Sequence, residues 1–125
     1  MKIKPTESEL EILQIIWQKG EASVREVHEQ LAESKDTGYT TTLKQMQIMH
    51  TKGLLVRNEE SRTHIYSAGI DEQDTQRHLL RNFVSTTFGG SSKNLVMQAL
   101  GQGTPSKEEL TEIRAFLDQL ENKKS

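Results

Sequence analysis

The chain has 125 residues, of which 33% are hydrophobic and 27% charged, with 16 basic residues, 18 acidic residues and no cysteine. This length allows one small domain or two very small ones. Even with glycine included, the apolar share is about 39%, below the roughly 45–50% of ordinary globular chains. Because a short chain buries its surface inefficiently, we expect a second copy to cover part of the apolar surface, which predicts a homodimer.

Composition excludes several classes of protein. The absence of cysteine removes disulfides, thiolate metal sites and cysteine nucleophiles, and it is typical of the reducing cytoplasm. The first residues are charged and lead into no apolar segment, so we expect no signal peptide, and no apolar run is long enough for membrane insertion. The four histidines have no metal-ligand spacing, so we predict no metal and no cofactor. No glycine-rich phosphate loop, HExxH pair or Gly-x-Ser-x-Gly motif is present, so we expect no catalytic residues and no enzyme.

The charges are unevenly distributed. Residues 1–34 carry seven acidic and four basic residues, whereas residues 37–58 carry Lys44, Lys52 and Arg57 and no acidic residue at all. A polyanion can approach such a segment although the net charge of the chain is −2. A short segment can also lack carboxylates by chance, so this pattern alone leaves both interpretations open.

Capping boxes predict where helices begin. Thr6 with Glu9, Ser23 with Glu26 and Ser106 with Glu109 have the spacing of this motif, and Asp71 with Asp74 is a weaker version. The first helix is predicted from about Glu7 to Lys19 and the second from Val24 to about Glu33. Helical spacing of apolar residues predicts a third helix from Thr40 to Lys52, ending at Gly53.

Two short strands follow, at residues 54–56 and 63–66, joined by a polar turn over residues 58–61. Three helices and a hairpin in this order are typical of a winged helix-turn-helix, whose third helix enters the major groove of DNA. We therefore predict a mainly α fold with a small β-hairpin wing. Residues 1–70 form the winged-helix DNA-binding domain, and residues 71–125 form a three-helix dimerisation domain.

The C-terminal helices carry apolar stripes that are best buried against a second protomer. The predicted dimerisation residues are Leu79, Leu80, Phe83, Phe88, Leu95, Val96, Leu100, Ile113, Phe116, Leu117 and Leu120.

The chain resembles the penicillinase-repressor family, also called the BlaI/MecI/CopY family, over nearly its whole length. The residues that carry the resemblance are Trp17, Ser23-Val24-Arg25-Glu26-Val27, Tyr39-Thr40-Thr41, Lys52-Gly53-Leu54-Leu55, Tyr66 and Phe88-Gly89-Gly90-Ser91. The resemblance implies a bacterial repressor that binds an inverted-repeat operator in double-stranded DNA as a homodimer. The copper-responsive branch uses paired cysteines in the tail, which this chain lacks, so thiolate copper sensing is excluded.

The resemblance also implies a route of derepression. Members of the family are commonly encoded beside membrane metallopeptidase sensors, and several are inactivated by proteolysis in the C-terminal domain. The corresponding bond in this chain joins Gln98 and Ala99. The residues there differ from the Asn-Phe pair of the staphylococcal members, so cleavage is a hypothesis.

The third helix supplies the candidates for base contacts. Leu43, Met46 and Met49 are expected to face the core, and Thr42 stands where the family usually buries an aliphatic residue. The outward residues are then Thr40, Thr41, Lys44 and Gln47. Hydroxyl, ammonium and amide groups suit thymine, guanine and adenine edges or a phosphate. The family often has arginine at the position of Ile48.

The remaining DNA candidates are expected to contact the backbone. In the wing these are Arg57, Arg62 and His64, which would set position without reading sequence. Tyr39 either donates its hydroxyl to a phosphate or packs as an aromatic side chain.

Two alternative functions stay open, namely a dimeric winged-helix regulator that responds to a small molecule and a winged-helix module that binds protein. The acid-free segment favours DNA over a protein partner.

Overall fold

The computed structural model describes residues 4–60 and 62–124, which form six helices and three strands. The expected class, mainly α with a small β wing followed by C-terminal helices, is confirmed. Ser61, part of the predicted turn between the strands, lies outside the described residues. In chain order the elements are α1 (Glu7–Lys19), β1 (Glu21–Ser23), α2 (Val24–Ala32), α3 (Tyr39–Lys52), β2 (Leu55–Asn58), β3 (Ile65–Ala68), α4 (Glu72–Thr87), α5 (Ser92–Gln102) and α6 (Lys107–Lys124).

The three predicted capping boxes are formed in both directions. At the start of α1, the backbone N–H of Glu9 donates to Thr6 Oγ1 at 3.2 Å, and the N–H of Thr6 donates to Glu9 Oε1 at 2.9 Å. The pairs before α2 and α6 repeat this geometry at 2.9–3.2 Å. Before α4, the N–H of Asp74 donates to Asp71 Oδ2 at 3.0 Å. These local motifs place four helix starts within a residue of their predicted positions.

The sheet contains a strand that the sequence patterns did not predict. β1 pairs with β3, and β3 also pairs with β2, both antiparallel, so the strand order is β1-β3-β2. Glu21, Ala22 and Ser23 have low strand propensity, and their pairing partners lie more than 40 residues later in the chain. The predicted hairpin is therefore one part of a three-stranded sheet.

The two predicted wing strands are also shifted toward the C-terminus. Leu54 was expected in the first strand, but its N–H donates to Met49 O at 2.9 Å and closes the end of α3. β3 extends to Ala68 because Ser67 pairs with Val56 on one side and with Glu21 on the other. Thr63 and His64 precede the strand instead of forming its start.

Among the described residues, the buried side chains of the hydrophobic core lie between Ile12 and Tyr66. They come from α1, β1, α2, α3 and the sheet and form one core cluster. Trp17 packs at its edge, where the indole Nε1–H donates to Ile70 O at 3.1 Å. This core holds α2, α3 and the sheet as one body.

The chain divides into two compact units, the first ending at Leu80 and the second beginning at Arg81, so the division falls within α4. None of the described residues from 81 to 124 is buried. The predicted assignment of residues 1–70 to DNA binding and of residues 71–125 to dimerisation stays a prediction.

Candidate nucleic-acid interface

The core decides which side of α3 faces outward. Thr42, Met46 and Met49, spaced by four and three residues, are buried at 1%, 0% and 0% exposure. Thr42 occupies this buried row, and its hydroxyl lies 3.4 Å from Gly38 O, to which it donates. The opposite side of α3 is left exposed, and it carries all four side chains predicted to face outward: Thr40, Thr41, Lys44 and Gln47.

A shallow hollow of about 300 Å³ runs along this exposed side. We call it the α3 hollow. Its lining residues are Thr40, Thr41, Lys44, Gln45 and Ile48. The structure thus brings three of the predicted base-contacting residues together on one surface. Gln47 is exposed on the same helix but does not line the hollow.

A second concavity, of about 310 Å³, lies where α2, α3 and the wing meet. We call it the α2–wing cleft. Its lining residues are Val24, Arg25, Tyr39, Leu43, Arg62, Thr63, His64 and Tyr66. Three predicted backbone-contacting residues, Tyr39, Arg62 and His64, therefore share one cleft, although they come from separate segments of the chain.

Arg25 is the residue of this cleft that the sequence patterns missed. It is the second residue of α2 and lies in the acid-rich segment before residue 35, where local charge argues against a role with a polyanion. Only the packing of α2 beside the wing brings its guanidinium group to the same cleft as Arg62. No short-range sequence signal could have identified it.

Tyr39 packs against a neighbouring ring and also remains accessible, and its contact with a phosphate stays a prediction. Its ring meets the ring of His28 edge-on, with centroids 5.8 Å apart and planes at 84°. The residue nevertheless stays 44% exposed and lines the α2–wing cleft. Within the described residues, His28 Nδ1 is buried without a hydrogen-bond partner, so this ring serves as a packing surface for Tyr39.

Two of the three cations in the acid-free segment are held by acidic side chains outside it. Lys52 Nζ lies 2.8 Å from Glu9 Oε2, and Arg57 Nη2 lies 3.3 Å from Glu59 Oε2. In residues 4–60 and 62–124, the ion pairs found do not include Lys44, Arg25 or Arg62. The positive charge left for a polyanion is therefore arranged differently from the charge along the sequence.

Arg57 is the predicted backbone-contacting residue that the structure places apart from the others. It lies opposite Tyr66 in the β2–β3 register and does not line the α2–wing cleft. The hydrogen-bonding Tyr66 side chain and the Glu59 carboxylate raise the pKa of Arg57, so its guanidinium stays charged. This charge is already engaged within the wing.

The predicted dimerisation residues remain largely uncovered in the single chain. Phe83 and Phe88 contact each other edge-on with ring centroids 5.5 Å apart, but Phe83 stays 49% exposed. On α6, Phe116 is 59% exposed and Leu117 is 50% exposed. Also exposed are Leu80, Val96 and Leu120, whereas Leu79, Leu95, Leu100 and Ile113 are half-buried. Gln98 and Ala99 are exposed residues within α5.

The described residues contain neither a metal-binding cluster nor a membrane-spanning helix. Over the part of the chain that is described, no three histidine, aspartate or glutamate side chains lie close enough to share a metal ion. Within the same residues, no helix is both long and apolar enough to cross a bilayer.

Comparison with known proteins connects this geometry to a family. The penicillinase repressor family matches residues 5–119. The chain is 25% identical over 119 residues to the penicillinase repressor of Bacillus licheniformis, covering 95% of this chain and 93% of that protein. It is 25% identical over 111 residues to the methicillin resistance regulatory protein MecI of Staphylococcus aureus strain N315, covering 89% and 90%. It is 23% identical over 116 residues to the Staphylococcus aureus penicillinase repressor, covering 93% and 92%. The chain therefore belongs to the penicillinase repressor family, whose members are DNA-binding transcriptional regulators and not enzymes.

Proposed function

We propose that the protein represses transcription as a homodimer that binds an inverted-repeat operator, with α3 in the major groove and the wing against the backbone. One observation carries this proposal. The outward side of α3 and the α2–wing cleft lie on neighbouring surfaces, since Tyr39 in the first turn of α3 lines the cleft and Thr40 lines the hollow. A phosphate-binding surface thus lies beside a base-reading surface.

The α2–wing cleft has the chemistry of a phosphodiester site. Arg25 and Arg62 supply guanidinium groups, which form short charge-assisted hydrogen bonds with phosphate oxygens. The Tyr39 hydroxyl and the His64 ring add further donors. Such contacts fix the position of a protein on the duplex and carry no sequence information directly.

The outward side of α3 supplies groups for sequence reading. Lys44 has the reach for guanine O6 and N7, and the Gln47 amide can pair with an adenine edge. Thr41 can contact a thymine methyl or donate to a phosphate. These residues occupy the first two and a half turns of α3, the part of a recognition helix that reaches base edges.

The exposed apolar side chains of the second unit support the homodimer. A soluble monomer rarely leaves such stripes on three helices uncovered, and a two-fold dimer covers the same patch on both copies. Two copies also present two third helices, which is the requirement for reading two half-sites of an inverted repeat.

We further propose that a membrane metallopeptidase pathway relieves repression in the cytoplasm by cutting the Gln98–Ala99 bond. Both side chains are exposed, but the bond lies inside α5, so α5 must unwind locally before a protease can bind it. Co-expression with a peptidase encoded beside the gene, under inducing conditions, should yield two fragments by intact-mass analysis. An intact chain under those conditions would contradict this route.

Salt dependence of DNA binding tests the proposed function. Duplexes selected from a random library by the full chain should bind with a steep salt slope, measured by fluorescence anisotropy. If Arg25 and Arg62 of both protomers contact phosphates, the affinity should fall roughly 10²-fold between 50 and 200 mM salt. Absence of duplex binding at 50 mM salt would overturn the proposal.

The contribution of the cleft can be tested with a matched pair of variants. For the dimer, Arg25→Gln should reduce the slope of log affinity against log salt concentration by about two, because one phosphate contact per protomer is removed. Arg77→Gln removes the same charge from α4, where Arg77 lies 3.1 Å from Asp74 and outside the cleft, and should leave the slope unchanged. Equal slopes for both variants would remove Arg25 from the interface.

A further inference from the structure

Ile48 is an exposed aliphatic residue on the side of α3 that faces away from the core. Its side chain is 45% exposed, whereas the buried row of the same helix consists of Thr42, Met46 and Met49. Its neighbours on the exposed side are polar, namely Lys44 one turn earlier and Gln47 beside it. Packing within the described chain therefore does not account for an isoleucine at this position.

Ile48 forms one end of the α3 hollow. The hollow also contacts Thr40, Thr41, Lys44 and Gln45, yet the surface that lines it is mostly apolar. The carbon atoms of these polar residues, together with Ile48, therefore form its walls. The hollow is open and shallow, which suits a small apolar group that approaches from outside the protein.

The major groove of DNA presents one such group, the methyl group of thymine. The edges of guanine, cytosine and adenine carry hydrogen-bond donors and acceptors, whereas thymine adds a C5-methyl group. Given the proposed function, which this inference rests on, α3 faces those edges. We propose that the α3 hollow seats a thymine methyl group of each operator half-site and that Ile48 is a specificity-determining residue.

Deoxyuridine tests the methyl contact, since it differs from thymidine only by lacking this methyl group. A duplex selected by the full-length protein is prepared with each thymine of a half-site replaced in turn by deoxyuridine. At one or two positions the affinity should fall by about 4-fold per half-site, the factor expected for burying one methyl group. Every other replacement should leave the affinity within error.

The Ile48→Ala variant then tests whether the thymine methyl group binds in the α3 hollow. The affinity of this variant for the thymine duplex should fall. When deoxyuridine replaces thymine at the sensitive position, the further decrease in its affinity should shrink toward 1-fold. Val56→Ala is the matched control, because Val56 is an exposed aliphatic residue on β2, outside the hollow. This control should keep the full thymine preference, and circular dichroism should show equal helix content in all three proteins.

The outcomes separate the two proposals. A protein that selects no duplex refutes both DNA binding and methyl reading. A selected duplex with no position sensitive to deoxyuridine refutes methyl reading alone, as does an Ile48→Ala variant with undiminished sensitivity. In these latter cases the hollow is better explained as a contact for an apolar side chain of another protein.

Discussion

Three cations of one short segment have different surroundings in the folded protein. Lys44 lines the α3 hollow, Lys52 is paired with Glu9, and Arg57 is engaged with Glu59. The difference arises from carboxylates outside residues 37–58, since Glu59 lies two residues after Arg57 and Glu9 lies 43 residues before Lys52. A count of charge along the chain therefore overestimates the positive charge that α3 and β2 offer to DNA.

Lys44 and Arg62 should differ in how they affect binding. Lys44→Ala should weaken binding to the selected duplex by about 10-fold or more and alter base preference, because a base-edge contact is lost. Arg62→Ala should weaken the selected duplex and a scrambled duplex by the same factor, because phosphate contacts do not read sequence. Competition binding with both duplexes measures the difference. Equal losses for Lys44→Ala on both duplexes would remove it from sequence reading.

Glu9 should make the stability of the protein depend on acid. This residue is only 4% exposed, and burial raises its pKa, but the hydrogen bonds from Lys52 and Thr6 outweigh burial and hold the pKa below its ordinary value of 4.5. Its ionised form therefore stabilises the fold above about pH 4.5, and this stabilisation is lost as the pH falls through the lowered pKa. Glu9→Gln should lower the free energy of unfolding by about 1–3 kcal/mol at pH 7, measured by urea denaturation.

Two comparisons make this test specific. The difference between wild type and Glu9→Gln should shrink as the pH is lowered from 6 to 3, because the wild-type carboxylate becomes protonated. Glu11→Gln on the same helix breaks an exposed pair with Lys35 and should cost no more than about 1 kcal/mol. A pH-independent difference for Glu9→Gln would show that its charge is not the cause.

At the scale of elements, the junction between α3 and the sheet depends on a close backbone approach. Gly53 ends α3 with a φ of 87°, and the N–H of Gly69, just after β3, donates to Leu54 O at 2.8 Å. A Cβ atom at Gly69 would collide with the Gly53 carbonyl oxygen. The wing and α3 are thereby joined through backbone atoms, which have little freedom to move.

Gly69→Ala should therefore destabilise the first unit. The added methyl group forces a backbone shift, and overpacking of this kind costs about 1–3 kcal/mol. Thermal unfolding followed by circular dichroism measures the loss. Gly38→Ser is the control, because Gly38 has open space around it, a β-region backbone and the N-cap position of α3, where serine is favoured. Unchanged stability in Gly69→Ala would indicate that β3 and α3 separate more easily than their hydrogen bond implies.

At the scale of the whole molecule, burial is unequal between the two units. The first unit holds the apolar core, whereas none of the described residues from 81 to 124 is buried. The second unit exposes aromatic and aliphatic side chains that cost free energy in water. Its stability is therefore expected to depend on protein concentration, as in dimers whose subunits complete each other's core.

Phe116→Glu should convert the proposed dimer to a monomer without unfolding the first unit. A carboxylate on the apolar stripe of α6 would be buried unpaired in the proposed interface, and such burial is strongly unfavourable. Sedimentation velocity measures the change in mass. Ala115→Glu is the control, since it adds the same charge to the opposite side of α6 and should leave the mass unchanged. A wild-type chain that sediments as a monomer at micromolar concentration would contradict the dimer.

Local chemistry was sufficient to predict much of this protein. Capping boxes placed the starts of α1, α2 and α6, because a side chain three residues away satisfies the exposed backbone N–H groups. Helical spacing also predicted that Met46 and Met49 face inward and that Thr41 and Lys44 face outward, since the helix period assigns sides before any tertiary contact forms.

Features that join distant segments could not be predicted in this way. β1 is a strand only because Glu21–Ser23 finds hydrogen-bond partners in β3, and Arg25 reaches a candidate phosphate site only because α2 packs beside the wing. The pairing of Lys52 with Glu9 has the same origin, because 43 residues separate the two side chains. Sequence by itself determined the helices and their sides, since these depend on neighbours within a few residues. It also determined the family, since the family's residues recur along nearly the whole chain. Tertiary structure alone decided the third strand, the composition of the cleft and the pairing of Lys52, because each depends on contacts between residues far apart in the chain.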